Sequence, residues 1–103
     1  MKLFLTASIL SLALAGSAFA DAAAGKAVYM AKCKGCHAAD GTGNPTIAKM
    51  RGVTMKALGS KAVQAKSDAQ LKKDSTAGTG KMLPVKLTDA EASDVVAFLR
   101  TLK

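Results

Sequence analysis

Cys33-Lys34-Gly35-Cys36-His37 constrains this chain more than any other stretch. It reads C-x-x-C-H, the attachment signature of c-type haem. Two thiols three residues apart, at a helix end or in a tight turn, point to one side. Each can add across a vinyl group of one porphyrin and form a thioether. His37 follows Cys36 directly, so its imidazole can reach the iron from the face that the thioethers fix. Two other readings compete. A structural zinc site needs four protein ligands, and the chain offers two Cys and one His. A thioredoxin-like dithiol usually sits beside a β-α-β pattern, and no alternating strand pattern appears anywhere in the sequence. The residues favour haem.

His37 is the only histidine, so one chain cannot supply bis-histidine ligation. The sixth position must be filled by Met, by Lys or by an outside ligand, or be left empty. Met30 lies three residues before Cys33 on one predicted helix and cannot easily reach the opposite face. Met50 and Met55 reach it only if their loop wraps the porphyrin edge. Met82 sits in Gly78-Thr79-Gly80-Lys81-Met82-Leu83-Pro84, a turn-rich loop between two predicted helices. The ordinary role of any methionine is core filling. Met82 is the candidate ligand all the same, with Met55 and Met50 next in order. Thioether ligation would favour Fe(II), raise the potential and leave no easy entry for a substrate.

The first twenty residues read as a cleavable leader. Lys2 is the positive start, Leu3 to Ala15 is apolar, and Ala18-Phe19-Ala20 is a small-x-small cleavage pattern. The apolar run is shorter than the roughly 20 residues a membrane span needs. Residues 1–20 are therefore expected to be a signal peptide and 21–103 one domain, with no membrane span after cleavage. Tyr29 and Phe98 are the only aromatics of that domain. So small a domain buries little surface and often needs a staple or cofactor. A covalently held porphyrin would supply the missing apolar centre.

Three helices are predicted around two glycine-rich loops, and the fold class is all-α. The first runs from about Ala22 to Lys34 behind Asp21 as N-cap, with Gly25, Val28, Tyr29 and Lys32 on one face. Gly25 costs that helix about 1 kcal/mol relative to Ala, which suggests close approach of a second helix. The second runs from a Ser67-x-x-Gln70 capping pattern to about Thr76, with Gly78 as stop. One or two short helical turns are expected between Thr46 and Lys66. The third follows the Thr88-x-x-Glu91 capping box, with Ala92, Val95, Val96, Leu99 and Leu102 at helical spacing. Arg100 and Lys103 sit where cations suit the helix dipole.

With Cys33-x-x-Cys36-His37, a downstream Met82 and a C-terminal helix carrying Phe98, residues 21–103 resemble the small class I bacterial cytochromes c, which hold one haem with His and Met ligands. The resemblance implies N- and C-terminal helices crossing at a small residue, here Gly25, against the side carrying Val95, Phe98 and Leu99. It also implies one covalent haem c with its iron at the core, bound by Cys33, Cys36, His37 and Met82, with His37 and Met82 on the metal. Pro45 matches the family's proline whose carbonyl accepts a hydrogen bond from the ligand imidazole. Many relatives have Pro directly after the ligand Met, whereas Leu83 intervenes here before Pro84.

The function expected is a soluble, exported, periplasmic one-electron carrier rather than an enzyme, and a monomer. The formal net charge of +8 points to redox protein partners with acidic docking surfaces. Lys32, Lys34, Lys81 and Lys86 flank the ligand loops as a candidate rim. Nucleic acid fits poorly with export and two aromatics. The rival classes are a five-coordinate haem enzyme or gas sensor, which lacks a second histidine for acid-base work, and a dedicated subunit of a membrane redox complex.

Overall fold

The computed structural model describes residues 20–103, so the expected leader lies outside the described residues except for Ala20. Six helices follow in order: α1 (Ala22–Lys32), α2 (Lys34–His37), α3 (Pro45–Arg51), α4 (Lys61–Gln64), α5 (Asp68–Ala77) and α6 (Asp89–Leu99), closed by a 3-10 turn, Arg100–Leu102. No strand occurs among the described residues, and one isolated bridge joins Thr79 to Met82.

Local chemistry starts most of these helices. The Asp21 side chain accepts from the amides of Ala23 and Ala24, at 2.9 and 3.2 Å. Thr88 and Glu91 form the reciprocal capping box, and both of its bonds are present. At α5 only half of the expected box forms. Ser67 accepts from the Gln70 amide, but the Gln70 side chain turns to Asp74 at 2.6 Å instead of reaching back. α1 stops at Lys32, two residues earlier than expected, because Cys33 caps it and a fresh turn begins at Lys34.

The main interhelical packing sets α1 against α6, and α5 flanks α6. Gly25 is the crossing point, as its lack of a side chain suggested. A Cβ there would overlap the Asp94 carbonyl and lie 2.9 Å from the Val95 nitrogen. Backbone, rather than the Phe98 ring, therefore occupies the space beside Gly25. Phe98 instead packs on Tyr29, ring centroids 5.0 Å apart at 52°, a tilted geometry that aromatic pairs favour. Tyr29, Val95, Phe98 and Leu99 form one buried cluster, and Val63, Leu71 and Val96 form a second.

Leu102 departs from the expected continuous helix, since the last residues tighten into the 3-10 turn. Gly59 lies against the Leu102 carbonyl, and Gly41 faces its side chain. Arg100 does not simply sit in the helix dipole. Its guanidinium donates to the carbonyls of Gln64 and Lys66 at 2.9 and 2.7 Å and to Asp68 at 2.7 Å. The Gln64 amide in turn donates to the carbonyls of Leu58 and Leu99, both at 2.9 Å. Together they tie the chain between α4 and α5 to the end of α6.

Candidate functional site

Cys33 and Cys36 span the joint between α1 and α2. The Cys36 and His37 amides both donate to the Cys33 carbonyl, at 3.3 and 3.0 Å. That single turn presents Cys33, Cys36 and His37 to one cavity of about 440 Å³, a size typical of ligand sites. Its wall takes Tyr29, Val95 and Leu99 from one buried cluster and Val63 and Leu71 from the other. The cavity therefore lies between the two halves of the core, and an apolar group filling it would join them.

The loop after α2 folds back over it. Gly43 and Asn44 donate their amides to the carbonyls of His37 and Cys36, both at 2.8 Å. Asn44 also caps α3, accepting from Thr46 and Ile47 at 3.0 and 3.3 Å, with Pro45 as the first helical residue. The imidazole-to-Pro45 hydrogen bond that the resemblance implies is not formed in this structure, where the buried His37 Nδ1 has no hydrogen-bond partner. Burial pushes the imidazole below its ordinary range, so the neutral, ligating form is favoured. Burial pushes the Cys33 thiol up, partly offset by Lys32, while Cys36 adds to the rise.

Met82 and Met55 also line the cavity, with Leu83, Pro84 and Val85. Met82 sits at the foot of a tight turn, its amide and carbonyl paired with Thr79 at 2.9 and 3.2 Å. Gly80 has φ 56° at the first corner and Gly78 has φ 80° before the turn, conformations that suit glycine. The Val85 amide holds the Ser75 carbonyl at 2.9 Å, anchoring the loop to α5. Across the mouth, Arg51 donates to the Lys81 carbonyl at 3.1 Å and Lys81 to the Gly52 carbonyl at 3.3 Å. Met55 is placed differently: a Cβ at Gly43 would lie 3.6 Å from its sulfur, beside the loop that covers His37. Met50 is 76% exposed, and Met30 packs against the α1–α6 cluster rather than on the cavity wall.

Lys32, Arg51, Lys56, Lys66 and Lys81 stand on the wall. Of the expected rim, Lys34 and Lys86 do not, though Lys32 reaches across to the Lys86 carbonyl at 2.8 Å. Lys66 is engaged by Asp74 at 3.0 Å. Arg51 and Lys56 were not in the sequence-based rim, because nothing local places them at the mouth.

These residues fit a haem. Two free thiols and a partnerless imidazole meet a mainly apolar cavity that separates two core clusters. No group of three or more His, Cys, Asp or Glu side chains able to hold a metal ion occurs among the described residues, which leaves the zinc reading without a ligand set.

Comparison with known proteins agrees. The cytochrome c family model matches residues 22–103. Cytochrome c-555 of Chlorobaculum tepidum is 37% identical, over 96% of this chain and 95% of its own length. Among solved structures, the KustC0563 c-type cytochrome superposes with a TM-score of 0.66 at 29% identity, covering 77% of this chain and 96% of its own.

Proposed function

The chain belongs to the cytochrome c family, haem-based electron carriers with covalently attached haem c, and on that premise we propose that it is an exported, periplasmic carrier in which Cys33 and Cys36 hold the porphyrin while His37 and Met82 bind its iron. The supporting observation is that these four residues share one apolar cavity between two core clusters. The haem supplies one-electron Fe(III)/Fe(II) chemistry.

The chain's own residues do the rest. Val63, Leu71, Val95 and Leu99 line the cavity and would shield a bound haem from water, lowering the local dielectric. His37, half-buried and with its neutral form favoured, would present a ring nitrogen without a competing proton. The Thr79–Met82 turn, anchored at Ser75 and across the mouth at Arg51, brings Met82 to the wall of the cavity that Cys33, Cys36 and His37 also line, where its thioether would bind the iron. Met55 also lines the cavity, beside the Gly43 loop, and is the second candidate. Lys32, Arg51, Lys56 and Lys81 give the mouth a positive rim that would steer partners with acidic docking surfaces. No helix among the described residues is long and apolar enough to cross a membrane, which accords with a protein that diffuses between partners once its leader is removed.

The test is ligand replacement. Met82→Ala should lose the weak far-red sulfur-to-iron band, bind CO or cyanide, and lower the midpoint potential, while covalent haem is retained. Met55→Ala should keep the parent's band and potential. The reverse pattern would reassign the ligand to Met55.

A further inference from the structure

Ala38 is the one non-glycine residue among the described residues with a positive φ. It sits at φ 64°, ψ 163°, a corner of backbone space occupied essentially by glycine alone. Such a conformation persists only when its surroundings hold it. Ala38 immediately follows His37, and its turn sends the chain back over α2. The carbonyls of Cys36 and His37 then meet the amides of Asn44 and Gly43, and the Gly35 carbonyl meets the Asn44 side chain at 3.3 Å. A one-turn helix has few bonds of its own, so this returning loop is what satisfies its last carbonyls.

Two groups hold the Ala38 carbonyl. The Gly41 amide donates from 3.2 Å, a long bond, and the Tyr29 hydroxyl donates from 2.5 Å. Tyr29 is fully buried between α1 and α6, its ring fixed against Phe98. A phenylalanine would pack the same way, so the helix crossing does not require the hydroxyl. Burial pushes the phenol up to about 12, so it remains a donor at neutral pH.

We propose that Tyr29 is a positioning residue for His37: its hydroxyl holds the Ala38 carbonyl, keeps the strained reversal closed, and through the 41–44 loop fixes the turn that presents the imidazole. This rests on the reading of His37 as iron ligand. The sequence suggested Tyr29 only as a packing residue, and its polar end connects the structural helix pair to the cofactor turn.

The experiment compares haem-loaded parent, Tyr29→Phe, Ala38→Gly and the double variant by amide hydrogen exchange and redox titration. Losing one ordinary hydrogen bond shifts an opening equilibrium by about tenfold. In Tyr29→Phe the amides of Gly41, Gly43 and Asn44 should therefore exchange about tenfold faster, with those of Val95 and Leu99 within about twofold of the parent. Fe(III), the harder ion, gains more from the nitrogen donor, so a looser imidazole should raise the midpoint potential, by up to about 59 mV for a tenfold change and one electron. Glycine adopts the Ala38 conformation without strain. In the Ala38→Gly background, Tyr29→Phe should then move loop exchange by less than about threefold and the potential by less than about 28 mV, the coupling expected of residues in contact. Three results would overturn the proposal: unchanged loop exchange and potential in Tyr29→Phe, an equally large effect with Gly at 38, or a uniform rise that includes α6. If His37→Ala keeps the parent's visible spectrum, the ligand reading fails instead, whatever the loop amides do.

Discussion

Replacing Gly25 with alanine sets two opposed effects against each other, and the structure decides the sign. Helix propensity alone predicts a gain of about 1 kcal/mol, since Gly25 lies within α1. The new methyl, however, would overlap the Asp94 carbonyl of α6 and stand 2.9 Å from the Val95 nitrogen. Those atoms are helix backbone and cannot swing aside as a flexible side chain would. The helices must move apart by the order of an ångström, and a gap of ~0.5–1 Å forfeits a quarter to a half of each dispersion contact across it. Tyr29, Val95, Phe98 and Leu99 lie in that seam, and the bond from the Asp21 amide to Asp94, 2.8 Å, spans it too. Overpacking of this kind costs about 1–3 kcal/mol, occasionally more. We expect a net loss of about 2 kcal/mol, or about 8–16 °C in Tm for a domain of this size. Urea titration of the haem-loaded protein, followed by far-UV circular dichroism, measures it as a lower midpoint at unchanged slope. Ala24→Gly, one residue away and exposed, is the control and should lose no more than about 1 kcal/mol by propensity. A midpoint for Gly25→Ala equal to or above the parent's would refute the close crossing.

Two further outcomes follow from the site. Tyr29 titrates at about 12 in the folded protein against an ordinary 10, so its contribution is intact below pH 10 and is lost between pH 10 and 12, where the unfolded chain ionises first. The fall should be on the order of 2 kcal/mol and should be absent from the stability–pH curve of Tyr29→Phe; parallel curves for the two proteins would contradict it. Charge reversal at Lys56 and Lys81 together should slow electron exchange with an acidic redox protein at low salt and flatten its salt dependence, because surface attraction is screened beyond roughly 8 Å at physiological ionic strength. Stopped-flow rates that match the parent at every salt concentration would place docking on another face.

How much was legible depended on how far apart the cooperating residues stand. The Cys33–His37 motif carries its chemistry within five residues, and the caps at Asp21, Ser67 and Thr88 act within three, so local sequence was enough to place them. The glycine at position 25 signalled a close approach, because a helix seldom keeps one without a reason. What it approaches, the Asp94 carbonyl, emerged only when α1 and α6 crossed. The Ser67 pattern failed by half because Asp74, a turn farther on, offers Gln70 a better acceptor than its own cap. The bond from the imidazole to Pro45 is not formed here, and the Asn44 cap that starts α3 at Pro45 was not read from the sequence. Alanine at 38 carries no turn signal at all. Its strained conformation exists because Tyr29, nine residues earlier, donates to its carbonyl from within the helix seam. The Arg51 to Lys81 contact joins residues thirty apart, and that Met55 shares the cavity wall with Met82 emerged only in the fold. Covalent spacing and helix capping are properties of adjacent residues, so the amino-acid order alone determined the cofactor chemistry and the helices. Strain and close backbone approach depend on contacts between distant segments, and only the tertiary structure decided them.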